Sequence, residues 1–279
     1  MRVCDPMLVA LAGEFQVSVG ESSRVISAFA VAYGSLQLFY GPLGDRIGKL
    51  RVINVAVLAC AVFSAITAMA SDFNLLVLAR AAMGASAAGI IPLSMAWIGD
   101  VVPYEYRQPV LARFLIGQIL GLSAGVVVGG LSADYLDWRF PFFMIALWFA
   151  ATSVYLHIIN RSLPAHARVL HISADNGFRR MLIEFRHVLR LPWARQVLVT
   201  VGLEGAVTFG ALAFIPAHLH STYGLSLASS GSLVMLFGLG GLIFAISSRN
   251  LVKRLGEVGL IHIGACLMGE IGRASCRER

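Results

Sequence analysis

The sequence predicts an all-α fold, a polytopic bundle of membrane-spanning helices, on three observations. Hydrophobic residues fill 58% of the 279 positions and charged residues only 13%, with a mean hydropathy of +0.78, against about 45–50% and about 25% in ordinary soluble domains. The apolar residues gather in runs near the roughly 20 residues needed to cross about 30 Å of hydrocarbon. Short polar turns separate the runs, and their basic residues alternate. Arg24 and Arg139 are all that one set of turns holds, whereas the other set holds Arg46, Lys49 and Arg51, then Arg107, then the arginines of residues 160–195, then Arg249, Lys253 and Arg254. Under the positive-inside bias, the second set faces the cytoplasm.

Residues 1–15 carry about half the apolar length of a span, so the chain is expected to begin inside helix 1, unlike a signal peptide. Helix 2 is expected over about 23–40, followed by a glycine-rich charged turn, 41–51, and by helix 3 over about 52–70. Helix 4 follows over about 75–98, helix 5 over about 110–131 and helix 6 over about 140–159. These form an N-terminal half, 1–159, with helix 1 partial.

The polar stretch 160–195 reads as a cytoplasmic linker. Within it Phe178, Met181, Leu182, Phe185 and Leu189 fall at helical spacing, with Arg179, Arg180, Arg186 and Arg190 around the other sides. Such a basic amphipathic helix lies in the membrane interface near anionic lipid. Residues 196–269 begin a C-terminal half, with helix 7 over about 196–219, helix 8 over about 225–248 and a partial helix 9. The end, 270–279, reads as an artefactual tail, because its charges would fall in mid-bilayer. Phe15-Gln-Val-Ser recurs as Tyr223-Gly-Leu-Ser, and Arg46-Ile-Gly as Arg254-Leu-Gly, at one common offset. Helix 8 is therefore expected to be the counterpart of helix 2.

The turn Gly41-Pro-Leu-Gly44-Asp45-Arg46-Ile-Gly48-Lys49-Leu-Arg51 resembles the signature between the second and third helices of major facilitator superfamily transporters. The resemblance implies the facilitator fold, here about seven complete helices plus partial helices 1 and 9 of an expected total of about twelve. It also implies a gate in which Asp45 caps the start of helix 3 or meets a helix end of the other half. Arg80 with Gly84 is similar to the helix 4 signature of the family, which implies a part in proton transfer. A snorkelling anchor is the alternative for Arg80, since it lies only about 8 Å below the outer face by helical rise. The run Gly121-x-x-x-Gly125-Val126-x-x-Gly129-Gly130 resembles the antiporter signature, except that Val126 stands where that signature has proline. Together with Gly117 these glycines form a ladder expected to admit a neighbouring backbone.

Charged groups within spans are functional candidates by their cost alone. Asp5, about 15 Å inside the outer face by helical rise, is a candidate proton site. Glu204, about 13 Å from the cytoplasmic face, is a second, able to line a shared cavity with Asp5. Tyr33 and Gln37, one turn apart, are candidate substrate contacts, with helix-to-helix bonding as the alternative.

Nothing argues for an enzyme, a cofactor or a metal. Cys4, Cys60, Cys266 and Cys276 lack ligand spacing, His218 and His220 do not converge on a helix, and no phosphate-cradling loop precedes a Lys-Ser/Thr pair. The net charge of +7 is scattered among loops, unlike a nucleic-acid surface. The expected function is secondary transport of a small molecule, proton-coupled and outward, by a monomer in a bacterial-type inner membrane. Proton-coupled nutrient uptake is the alternative within transport; a non-transporting scaffold or a non-functional gene fragment is the alternative outside it.

Overall fold

The computed structural model describes residues 2–162 and 177–277, and every regular element among them is helical. Two compact units are present, Met1–Met235 and Leu236–Arg279. The first begins with a 3₁₀ turn, Arg2–Met7, which leads into α1 (Leu8–Phe15), α2 (Val19–Ser22), α3 (Arg24–Ile47) and α4 (Lys49–Ala68). Then follow α5 (Phe73–Ala87), α6 (Ile90–Val101), α7 (Tyr104–Tyr135), α8 (Phe140–Ser162), α9 (Gly177–Arg190), α10 (Pro192–Tyr223) and the start of α11 (Leu227–Arg277). Linker residues 163–176, with His166, Arg168 and His171, and the final 278–279 lie outside the described residues.

Six of these helical segments are long and apolar enough to cross a membrane: Lys49–Ala68, Phe73–Val101, Tyr104–Tyr135, Phe140–Ser162, Pro192–Tyr223 and Leu227–Ser247. The 24-residue α3, expected to span as well, is not among them. It carries Tyr33, Ser35, Gln37 and Tyr40 within one stretch. Large apolar side chains such as Leu147, Trp148 and Val199 stand exposed on the surface, as hydrocarbon contact requires.

Several element boundaries differ from the sequence expectation: α7 starts at Tyr104, through Pro109, rather than at about 110, α10 covers Pro192–Tyr223 rather than about 196–219, and α11 runs helical past 248. The turn 41–51 does not bend at Gly41 or Gly44. Instead, α3 continues to Ile47, and the break is confined to Gly48, whose φ of 103° no side-chain-bearing residue adopts readily. Pro42 withholds one N–H from the ladder, but its ring fixes φ in the helical range. Gly44 stays helical and takes the Leu93 side chain of α6 against its bare backbone. The expected single helix 4 is divided into α5 and α6. Pro92 has no N–H for the Ala88 carbonyl. Beside that gap the Tyr40 hydroxyl donates to the Ala85 and Ser86 carbonyls at 3.0 and 3.3 Å, and the Tyr40 ring lies on Gly89.

Apolar residues stack in layers along the first unit. Val52, Ile53, Val57 and Leu93 pack near Gly48, and Phe29, Cys60, Met83 and Ala87 form a middle layer. Val3, Met7, Leu11, Val25, Leu76, Trp138 and Phe142 fill the opposite end. Helix α3 packs on α5, α4 packs on α8, and the Arg2–Met7 turn packs on α7 and α10. In α9, Leu182, Phe185 and Leu189 are exposed alongside Arg186 and Arg190.

Within the second unit, α11 stays helical to Leu255, breaks at Gly256 (φ 69°, ψ 169°) and resumes to Arg277. The sequence repeat has a backbone counterpart. Among the described residues, those with positive φ are Gln16, Gly48, Gly224 and Gly256. Gln16 and Gly224 end α1 and α10, and Ser18 and Ser226, two residues later, each accept a bond from the amide three residues on, both at 3.1 Å. Gly48 and Gly256 close the matching Arg-x-Gly triplets.

Candidate functional site

The deepest charge in the first unit is Arg80 on α5, with 1% of its surface exposed. It does not snorkel. Its guanidinium lies 4.5 Å from the centroid of the Phe29 ring and 5.8 Å from that of Phe142. Nη1 donates to the Met83 thioether at 3.3 Å, and Nε is buried without a protein acceptor. Cation–π contact replaces part of the lost hydration. Gly84, one turn along, explains the pairing with Arg80: a Cβ there would run into the Phe29 backbone carbonyl. Only a bare backbone at Gly84 lets α3 come close enough to lay Phe29 over the arginine.

Asp5 lies in the 3₁₀ turn beside this layer, 3% exposed, and accepts from Arg2 Nε at 2.7 Å. Arg2 and Arg80 both act on the Asp5 carboxyl electrostatically. Arg2 in turn sits 5.8 Å over the Phe209 ring of α10. The carboxyl therefore sits among two arginines, the wholly buried Cys4 and apolar side chains. Tyr33, half-buried, stacks on Phe29 with centroids 6.0 Å apart, which ties it to the same cluster. Gln37 is exposed. So is Glu204, and no ion pair or hydrogen bond joins it to Asp5 among the described residues. The buried residues of α10 are Ala194 near its start and then Leu212, Ala213 and Pro216.

At the Gly48 end, Lys49 pairs with Asp45 at 3.5 Å and with Asp100 at the end of α6. Asp45 does not cap α4. The residue before that helix is Gly48, and the Asp45 carboxylate is drawn to Lys49 one turn ahead instead. Arg46 and Arg51 are exposed.

Only the far end of the glycine ladder meets other backbone. A Cβ at Gly129 would strike the Val3 carbonyl, and one at Gly130 would stand 2.5 Å from the Leu227 carbonyl oxygen. Gly125 faces the Val3 amide, while Gly117 and Gly121 face open space. Arg2, Phe29, Phe142 and Asp100 were not singled out by sequence reasoning; each is one member of a contact whose other member lies far along the chain.

The match to the Major Facilitator Superfamily runs over residues 3–273. The chain belongs to that superfamily. Among its relatives, an uncharacterized MFS-type transporter of Bacillus subtilis (strain 168), YceJ, is 24% identical over 266 residues, 95% of this chain and 66% of the relative. A probable L-galactonate transporter of Escherichia coli (strain K12) is 26% identical over 246 residues, 82% of this chain and 53% of the relative. A probable efflux pump of Aspergillus flavus, mfs2, is 24% identical over 263 residues, covering 87% and 62%. The chain thus spans between 53% and 66% of the length of these relatives. Membership and the six apolar helices make the chain an integral, multi-pass membrane protein.

Proposed function

We propose that this facilitator exports a small molecule by proton antiport, with Asp5 as the proton site and Arg80 as the charge that the site works against. The observation that carries the reading is the buried Asp5 carboxylate, paired with the part-buried Arg2 and set beside the buried Arg80. Protonating Asp5 removes the counter-charge of two guanidinium groups held in apolar surroundings, at a cost of several kcal/mol unless water or an anion reaches them. Loading the proton thereby favours an arrangement in which the cluster is opened. Losing it favours closure, and a solute site on the same rocking halves is carried along.

In this reading the segment 41–51 is a cytoplasmic gate, with Lys49 tying α4 to α6 when closed. The linker is cytoplasmic, the membrane is a bacterial-type inner membrane and the working unit is a monomer. Tyr33 and Gln37 face the solute, and Glu204 is the second proton-coupling candidate. The probable efflux pump among the relatives supports the export direction. The probable L-galactonate transporter supports the second reading, proton-coupled uptake.

The test uses everted vesicles with an imposed inside-acid gradient. Export by antiport loads ethidium into them, whereas symport drives preloaded L-galactonate out. Asp5→Asn is expected to abolish the gradient-driven movement and to leave downhill exchange. Accumulation that survives Asp5→Asn would move the proton site to Glu204.

A further inference from the structure

At the end of the bundle opposite Gly48, the last turn of α7 meets the first turn of α11. The first amides of a helix have no partners within it, and in α11 two of them are satisfied from different places. Ser226, just before the helix, accepts from Ser229 N at 3.1 Å. Asp134, near the end of α7, accepts from Ala228 N at 2.6 Å across 94 positions of sequence. The Asp134 carboxylate thereby lies at the positive end of the α11 macrodipole, where an anion is stabilised.

The surroundings of this bond are closely packed but weakly held. A Cβ on Gly130 of α7 would stand 2.5 Å from the Leu227 carbonyl oxygen, and one on Gly231 of α11 would stand 2.9 Å from the Val126 carbonyl oxygen. The two backbones touch, with Val126, Leu212 and Val234 as an apolar seal and Pro6 beside Gly231. The hydroxyls of Ser132 and Ser230 are buried beside them without a protein acceptor. An interface of backbone, small residues and unpaired hydroxyls gains little from staying dry, so one charge-assisted bond can decide whether it is closed. Along α10, Leu212, Ala213 and Pro216 are buried toward this end and Ala194 near the start, while Val197, Val201 and Val207 are exposed.

We propose that Asp134 is a positioning residue for the transport cycle, a latch that holds α7 and α11 together by capping α11 from the other half of the fold. The proposal rests on the transport reading for its role in a cycle, but the latch itself is measurable without any solute. Tyr135 on α7 and Tyr223 at the end of α10 are both exposed. Cysteines placed there, in a Cys266→Ser, Cys276→Ser background, are spin-labelled in nanodiscs, and the distance distribution is read by double electron–electron resonance.

The parent and Ser226→Ala are expected to give one short distance, because Ser226 caps α11 from within its own half. Asp134→Ala is expected to add a longer distance, with about a tenfold rise in the open-to-closed ratio for one lost charge-assisted bond. Asp134→Asn, which keeps an acceptor but no charge, should lie between them, and it carries the test if the alanine variant does not fold. An unchanged distribution in both Asp134 variants would overturn the latch, and so would an equal broadening by Ser226→Ala. A chain that latches in this way but moves neither ethidium nor L-galactonate would defeat the transport reading and leave the latch standing.

Discussion

Arg80 and Gly84 behave as one device. Stacking on Phe29 uses the flat guanidinium face, which a lysine ammonium does not have. Arg80→Lys is therefore expected to lower stability by about 1–2 kcal/mol, read as a drop in the thermal midpoint of the detergent-solubilised protein. Gly84→Ala should cost about 1–3 kcal/mol by forcing α5 off the Phe29 backbone. Gly117→Ala, which meets open space, should be neutral or gain up to about 1 kcal/mol of helix propensity. Equal effects at Gly84 and Gly117 would remove the packing explanation. The spacing of Arg80 and Gly84 was legible in the sequence; the burial of Arg80 was not. Helical rise measures depth along one helix, whereas the rings that cover this arginine come from α3 and α8. Asp134 escaped for a related reason. Its partner is a backbone N–H, which has no side-chain signature, and the only hint was an acid just beyond a glycine ladder.

Helices were legible as apolar runs, and their ends much less so. The glycines of the signature look alike in sequence, yet Gly41 and Gly44 lie within α3 and only Gly48 breaks it. A glycine bends a chain only where packing demands a positive φ, and that demand arises from the meeting of α3, α4 and α6. Gly48→Ala should accordingly cost about 1–3 kcal/mol of backbone strain, whereas Gly41→Ala should stay within about 1 kcal/mol of the parent. Limited proteolysis between α3 and α4 checks the pair, with faster cleavage expected for Gly48→Ala alone. The division of α5 from α6 was signalled by Pro92 but masked by the unbroken hydropathy around it. The Tyr40 hydroxyl that bridges the gap comes from a helix where it had been read simply as the last residue of a span.

For the molecule in its membrane, orientation is the property most open to test. The charge bias predicts that the α6–α7 connection lies on the cytoplasmic side and the α4–α5 connection outside. A reporter fused at Gly99 should read as cytoplasmic and one fused at Asp72 as external; the reverse result would invert the proposed gate and latch together. The bundle class was legible because hydrocarbon permits few alternatives to closed helices. Which helices face lipid and which face each other was not, since that depends on neighbours far along the chain.

The positions of the left-handed residues carry a consequence of their own. Gln16 and Gly224, then Gly48 and Gly256, sit at one common offset, each pair ending a helix in the same manner. Endings of this kind close many helices, but their common offset fits the repeat expected between helices 2 and 8. Glycine is needed at both members of the second pair, while the first tolerates glutamine in one copy. A substitution tolerated or rejected at Gly48 thus becomes a forecast for Gly256, and what one copy has already accepted marks what the other can be asked to bear.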